Sequence, residues 1–266
     1  MMNQLEEIAG YLWQKGWAER NGGNISINLT RVEKAHPDKA FFNKSEFIVK
    51  PEVFIQSSIN LSAIAGHYIL ITGTGKRMRD VAKDYKSNTV IVHIHENGKY
   101  YSFLSDVEPS SELPSHLLIH NYLSANNTKG HQDSRTCIVH THPTELVAMS
   151  HHQPFLGKNV LSNLLWSMIP ETRAFCPKGL GVASYKMPGS MDLAKESVKL
   201  LDEYDVVLWQ KHGVLATAEN ILEAFDMIDV LNKSAMIYKS SREMGFVPDG
   251  LSQKEMKDIA RAMGIE

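Results

Sequence analysis

Val90-Ile91-Val92-His93-Ile94-His95, then Glu96-Asn97-Gly98, then Lys99-Tyr100-Tyr101-Ser102-Phe103-Leu104 is the passage from which the architecture can be read. Two runs rich in β-branched and aromatic residues flank an Asn-Gly pair. Both residues of that pair accept positive φ at low cost, so the passage predicts a β-hairpin and antiparallel pairing. Just upstream, Tyr68-Ile69-Leu70-Ile71 is a short apolar run, read as a buried strand entering Thr72-Gly73-Thr74-Gly75-Lys76. Just downstream, residues 112–124 read as a helix opening at Ser110-Ser111-Glu112-Leu113-Pro114, where Pro114 suits a first turn.

The pattern continues outward. Leu5, Ile8, Ala9 and Leu12 recur at three- and four-residue steps, which predicts a helix over 4–18 that ends near Asn21-Gly22-Gly23. Residues 24–30 alternate, with Ile25, Ile27 and Leu29 on one side, and predict a strand. Residues 31–66 are polar and partly aperiodic and read as a long excursion. Further strands are expected at 136–139, 180–185 and 205–209. Further helices are expected after Pro143 and over 191–201, 217–240 and 252–263. Strands and helices mix along the whole chain, with no internal repeat and no low-complexity linker. A single α/β domain over 1–266 is the expectation.

Composition narrows the function. The 28 Lys+Arg against 30 Asp+Glu leave a net charge of -2, with no basic footprint for nucleic acid or an anionic membrane. The opening residues lack the basic and apolar regions of a secretory signal. No apolar run approaches the roughly 18–20 residues that span a bilayer. Cys137 and Cys176 have no CxxC spacing and read as free thiols of a cytoplasmic protein. Against 2 Cys stand 12 His, so a transition metal would be held by imidazole and carboxylate.

His140-Thr141-His142 follows the 136–139 strand. Positions i and i+2 of extended backbone share a face, so two imidazoles there can bind one cation. A pair of polar residues at a strand end accounts for the motif equally well. His212 also follows a buried strand, Val206-Val207-Leu208-Trp209, and would complete a three-imidazole site with an open position. Six others, His93, His95, His116, His120, His151 and His152, read as structural or surface residues. Ser110, Ser111 and Glu112 open a helix, where an anion is stabilised, although Ser capping of an acidic first turn explains them too. The loop 72–76 is no Walker A motif, since Arg77 stands where Ser or Thr would bind Mg²⁺. With Asn21-Gly22-Gly23-Asn24 and Ser110-Ser111 it could form a pocket for a phosphate.

Five motifs in order, Glu19-Arg20-Asn21-Gly22-Gly23-Asn24, Thr72 to Lys76, Ser111-Glu112-Leu113-Pro114-Ser115-His116, His140 to Thr144 and Lys211-His212-Gly213-Val214, lie within residues 5–245. Together the motifs resemble the class II, metal-dependent sugar-phosphate aldolases. The stretch from Lys15 to Asn24 and the chain length favour the longer members over the fuculose-phosphate aldolases.

The resemblance implies a three-layer α/β/α domain around a mainly antiparallel sheet. It also implies a homotetramer with active sites between subunits and a sugar phosphate as substrate. His140, His142 and His212 match the ligands of one Zn²⁺ per subunit. Glu112 matches the catalytic carboxylate, and Glu171 an acidic group lent by the adjacent subunit. Asn21, Gly23, Asn24, Thr74, Gly75, Ser110 and Ser111 match the positions around the substrate phosphate. Spacing alone does not choose among Zn²⁺, Co²⁺, Fe²⁺ and Mn²⁺. Two other readings stay open: a different reaction at the same metal, as in the pentulose-phosphate 4-epimerases or dehydratases, and a non-catalytic protein-binding domain. Retention of all three His with Glu112 argues against the second.

Overall fold

The Asn-Gly hairpin forms as its sequence predicts. Val92, His93 and Ile94 pair antiparallel with Phe103, Ser102 and Tyr101, and Gly98 takes the left-handed conformation (φ 64°) that the turn requires. The computed structural model describes residues 2–37, 52–127 and 133–265. Its strands are β1 (Asn24–Asn28), β2 (Ile55–Gln56), β3 (Tyr68–Thr72), β4 (Thr89–Ile94), β5 (Tyr100–Phe103), β6 (Cys137–Thr141), β7 (Leu180–Ala183), β8 (Val206–Trp209) and β9 (Gly213–Ala218). Its α-helices are α1 (Met2–Gln14), α2 (Leu29–Ala35), α3 (Met78–Val81), α4 (Leu113–Asn127), α5 (Thr144–Met149), α6 (Val160–Met168), α7 (Pro170–Phe175), α8 (Met191–Leu200), α9 (Ile221–Glu243) and α10 (Gln253–Met263).

All nine strands join one sheet in the order β2-β5-β4-β3-β1-β6-β9-β8-β7. Every ladder is antiparallel except β7–β8. Strand alternation sorts side chains to two faces. Ile25, Ile27, Leu70, Ile91, Val139, Leu208 and Val214 pack on one face with Leu5, Ile8 and Leu12 of α1 and Ile221, Ile228 and Leu231 of α9. Each such fully buried aliphatic contributes roughly 1.5–3 kcal/mol. The opposite face meets α4 and α8, which completes an α/β/α sandwich, and its core is in two parts. Ile69, Ile71, Val90 and Val92 pack with Leu113 and Leu117 of α4. Ile138, Val207, Trp209 and Leu215 pack with Ile119 and Leu123 of α4 and with Leu193 of α8. Between them β1 presents Asn24, Ser26 and Asn28, all buried, as a polar seam beneath α4.

Three expectations need correction. Residues 213–218 form strand β9, and the helix expected from 217 begins at Ile221, with Asn220 accepting from the Glu223 amide as its N-cap. Gly-Val-Leu-Ala-Thr-Ala is buried on both faces between β6 and β8, so it shows no alternation and its alanines read as helical. Leu29 and Thr30 belong to α2 instead of extending β1, because the Asn28 side chain caps the Arg31 amide. The excursion over 31–66 contains most of α2, the short edge strand β2 and a 3₁₀ turn at Ser62–Ile64, while its residues 38–51 lie outside the described residues.

Candidate metal centre

Three backbone devices bring three imidazoles together. His140 is the penultimate residue of the buried strand β6, paired between Asn24 of β1 and Leu215 of β9, and is 1% exposed. His142 sits just past β6, where its own amide and the Thr141 hydroxyl both donate to the Trp17 carbonyl. His212 lies in the tight turn from β8 to β9. There Lys211 takes a left-handed φ of 61°, its amide donates to Ser150 Oγ, and the His212 amide donates to the Trp209 carbonyl. Left-handed backbone is costly for a residue with a side chain, so the turn holds some strain at this point. Trp209 closes the floor, its ring 4.5 Å from that of His140 and 5.1 Å from that of His212.

The ligand atoms of His140, His142 and His212 all lie within 4.8 Å of one another. His140 Nδ1–H donates to the Val214 carbonyl at 3.0 Å, and His142 Nδ1–H donates to Glu19 Oε1 at 2.7 Å. In neutral rings those two bonds set both tautomers and leave both Nε2 lone pairs facing inward. The two Nε2 atoms are 3.3 Å apart. Two lone pairs facing each other repel. A shared cation removes that repulsion, and tetrahedral Zn–N bonds of about 2.0–2.1 Å require an N···N separation of about 3.3 Å. Burial, followed by the neighbouring imidazoles, pushes His140 far below the usual imidazole range. The same causes lower His212 to about 4, so both rings are neutral ligands at neutral pH. The donor set therefore fits a divalent metal.

Glu112 is the carboxylate of this site. It is 5% exposed at the entrance to α4, with Oε1 4.0 Å from His212 Nε2 and Oε2 accepting from the Gly189 amide at 3.0 Å. Burial raises its pKa, and the Gly189 bond opposes that rise in part. A buried carboxyl of raised pKa beside a metal site is suited to moving a proton.

The three small-residue loops converge at the same sheet ends. The Ile25 amide donates to Thr72 Oγ1, the Ser110 amide to the Thr72 carbonyl, and the Thr74 amide to the Glu108 carbonyl. Gly23 (φ 76°) passes so close to β6 that a Cβ would sit 2.9 Å from the His140 carbonyl oxygen, while Gly75 (φ 68°) faces open space. Asn21, Thr74, Gly75 and Ser111 are exposed, Gly23 and Ser110 half-buried and Asn24 buried. Glu171 stands apart. It is exposed at the start of α7, a helix packed on α6, α9 and α10, and the ligand group does not include it. A cavity of about 1010 Å³ opens at the opposite strand ends. Its carboxylates, among them Asp205, Glu219, Glu223 and Asp226, outnumber Arg135 and Lys178, which disfavours a phosphorylated ligand there.

Sequence reasoning missed the supports. Glu19 orients His142, Gly189 anchors Glu112, and Trp209 floors the imidazoles. Gly213 leaves room for two rings: a Cβ there would meet His142 Cδ2 at 2.6 Å and His140 Cε1 at 2.8 Å. A glycine directly after a candidate ligand was the one available signal for this last role.

Comparison with known proteins gives one consistent family. The model for "Class II Aldolase and Adducin N-terminal domain" matches residues 3–239. A rhamnulose-1-phosphate aldolase of Bacteroides thetaiotaomicron is 47% identical over 99% of this chain and 94% of its own length. One from Mannheimia succiniciproducens is 31% identical over 96% and 90%. Among solved structures, a sugar-phosphate aldolase from Thermotoga maritima superposes with a TM-score of 0.75 at 31% identity, covering 94% of this chain and 97% of that one. An L-fuculose 1-phosphate aldolase at 21% identity and a TM-score of 0.61, covering 99% and 95%, shares the fold.

Proposed function

The chain belongs to the class II aldolase and adducin N-terminal domain family, and from that premise we propose that it is a zinc-dependent aldolase. In this reading it cleaves L-rhamnulose 1-phosphate to dihydroxyacetone phosphate and L-lactaldehyde, a step of rhamnose breakdown. The observation that carries the proposal is the convergence of three imidazoles with one buried carboxyl, Glu112. The relative at 47% identity supports the choice of sugar.

His140, His142 and His212 would hold the metal, which would supply Lewis acidity to the substrate carbonyl. Neutral ligands leave the cation its full charge, which thiolates would diminish. Trp209 and Glu19 keep the imidazoles oriented. The loops at Asn21 to Asn24, Thr74-Gly75 and Ser110-Ser111 bind the phosphate through amides and hydroxyls. They thereby hold the C3–C4 bond of the ketose over the metal group.

When that bond breaks, its electron pair stays on C3, and Glu112 gives C3 a proton. The hydroxyl on C4 loses its proton as the aldehyde forms. Glu171 of a neighbouring subunit takes that proton, so the reaction balances with no net charge change. The active assembly is a homotetramer whose sites lie at subunit contacts. The buried free thiols of Cys137 and Cys176 fit a cytoplasmic protein.

The test is metal removal. Protein stripped by chelator and checked by elemental analysis should release no dihydroxyacetone phosphate from rhamnulose 1-phosphate, and stoichiometric Zn²⁺ should restore the rate. Full turnover by metal-free protein would overturn the proposal.

A further inference from the structure

The polar seam under α4 is wired to the site in one direction. His120 Nε2 lies 2.8 Å from Ser26 Oγ, and Ser26 Oγ lies 2.6 Å from His116 Nδ1. His116 Nε2 in turn bonds Asn24 Oδ1. His116, His120 and Ser26 are fully buried. We propose that His116 and His120, acting through Ser26, are positioning residues that lock the Asn24 amide with its Nδ2 group turned to the substrate phosphate. This rests on the reading that Asn24 belongs to the phosphate site.

The direction follows from one atom. His120 Nδ1 is buried and has no hydrogen-bond partner. A hydrogen on that nitrogen would be a buried, unmet donor, which is rarer and costlier than an unmet acceptor. The hydrogen of His120 therefore sits on Nε2 and is donated to Ser26. The Ser26 hydroxyl must then donate onward to His116 Nδ1, which puts the His116 hydrogen on Nε2. That hydrogen is donated to Asn24, so the atom of Asn24 facing α4 is its carbonyl oxygen. Nδ2 is left on the other side, and among the described residues nothing accepts from it.

Asn24 pairs with His140 across β1 and β6, and directly opposed residues share a sheet face. The side chain that carries the locked donor therefore lies on the sheet face of His140. An amide free to flip would offer an anion its oxygen half of the time. Burial supports the lock, since His116 is pushed down to about 3 and His120 far below the imidazole range, so neither ring takes a second proton that would break the chain.

Two measurements test this. Imidazole nitrogen NMR on the histidine-labelled, zinc-loaded wild-type protein should show both His116 and His120 as Nε2–H tautomers. An Nδ1–H tautomer at His116 would overturn the proposal without any variant. In the zinc-loaded enzyme, His116→Phe should weaken binding of inorganic phosphate and raise the KM for rhamnulose 1-phosphate, each about tenfold. The kcat and zinc content should change less. His116→Gln, which keeps a donor toward Asn24, should stay within about threefold of wild type. In an Asn24→Ala background, His116→Phe should add no further loss. Wild-type phosphate affinity in His116→Phe, or a full further loss on top of Asn24→Ala, would sink the lock. A wild-type protein that neither binds phosphate nor cleaves the ketose phosphate would overturn the aldolase reading itself.

Discussion

Replacing Gly213 by alanine perturbs the metal group without touching a ligand. Its φ lies outside the left-handed range, so alanine meets no backbone strain, and the effect is steric. The new Cβ would lie 2.6 Å from His142 Cδ2, 2.6 Å from the Thr141 carbonyl oxygen and 2.8 Å from His140 Cε1. Ordinary contact distances are near 3.5 Å, so each group must retreat by roughly 0.8 Å. The Thr141 carbonyl belongs to the β6–β9 ladder and resists, which pushes the movement onto the two imidazoles. Rings displaced that far no longer aim their lone pairs at one point. Zinc affinity should fall about ten- to a hundredfold, the size seen when the supports of metal ligands are removed, which is about 1.4–2.7 kcal/mol. Metal-free protein should lose about 1–3 kcal/mol from overpacking. Zinc competition with a chromophoric chelator, with melting curves recorded with and without metal, separates the two effects. A folded Gly213→Ala protein that binds zinc as wild type does would refute this account of the site.

Other consequences can be checked in parallel. Glu112→Gln should lower kcat by about a hundredfold or more while zinc stays bound; unchanged turnover would remove Glu112 from proton transfer. Mixed tetramers assembled from Glu112→Gln and Glu171→Ala subunits should regain activity at about a quarter of sites, and no regain would place Glu171 outside the neighbouring active site. Burial lowers His67 to about 4 and His116 to about 3, with His120 lower still. These rings stay neutral in the fold but take up protons in the unfolded chain below about pH 6.5. Their depressed folded values leave stability intact above that pH and drain it as pH falls toward 4, by up to about 1.4 kcal/mol per pH unit for each ring. Melting temperature should therefore drop steadily through that window, and a flat profile would show these histidines to be solvated.

The parts of the molecule written in local chemistry were legible in advance. The Asn-Gly turn set the antiparallel pairing, and two buried strands ending in His140 to His142 and His212 marked the imidazoles that converge. What escaped depends on contacts between distant segments. Strand β9 is buried on both sides and so lost its period. Glu19 meets His142 from 123 residues away. The i, i+4 pair His116 and His120 was visible as one helix face, yet their partners, Asn24 and Ser26, stand 90 or more residues earlier.

The divided core over α4 also bears on how β1 finds its place. Ile25 and Ile27 fill the face toward α1 and α9, while Asn24, Ser26 and Asn28 meet His116, His120 and His67 on the other. A one-residue slip of β1 would turn the isoleucines onto the imidazoles and drive three polar side chains into hydrocarbon. Two continuous greasy layers would tolerate such a slip far better. The seam thus acts as a key cut for a single alignment. Since Asn24 sits opposite His140 in that alignment, a chain that has seated the key has also set the Asn21 to Asn24 loop against the converging imidazoles.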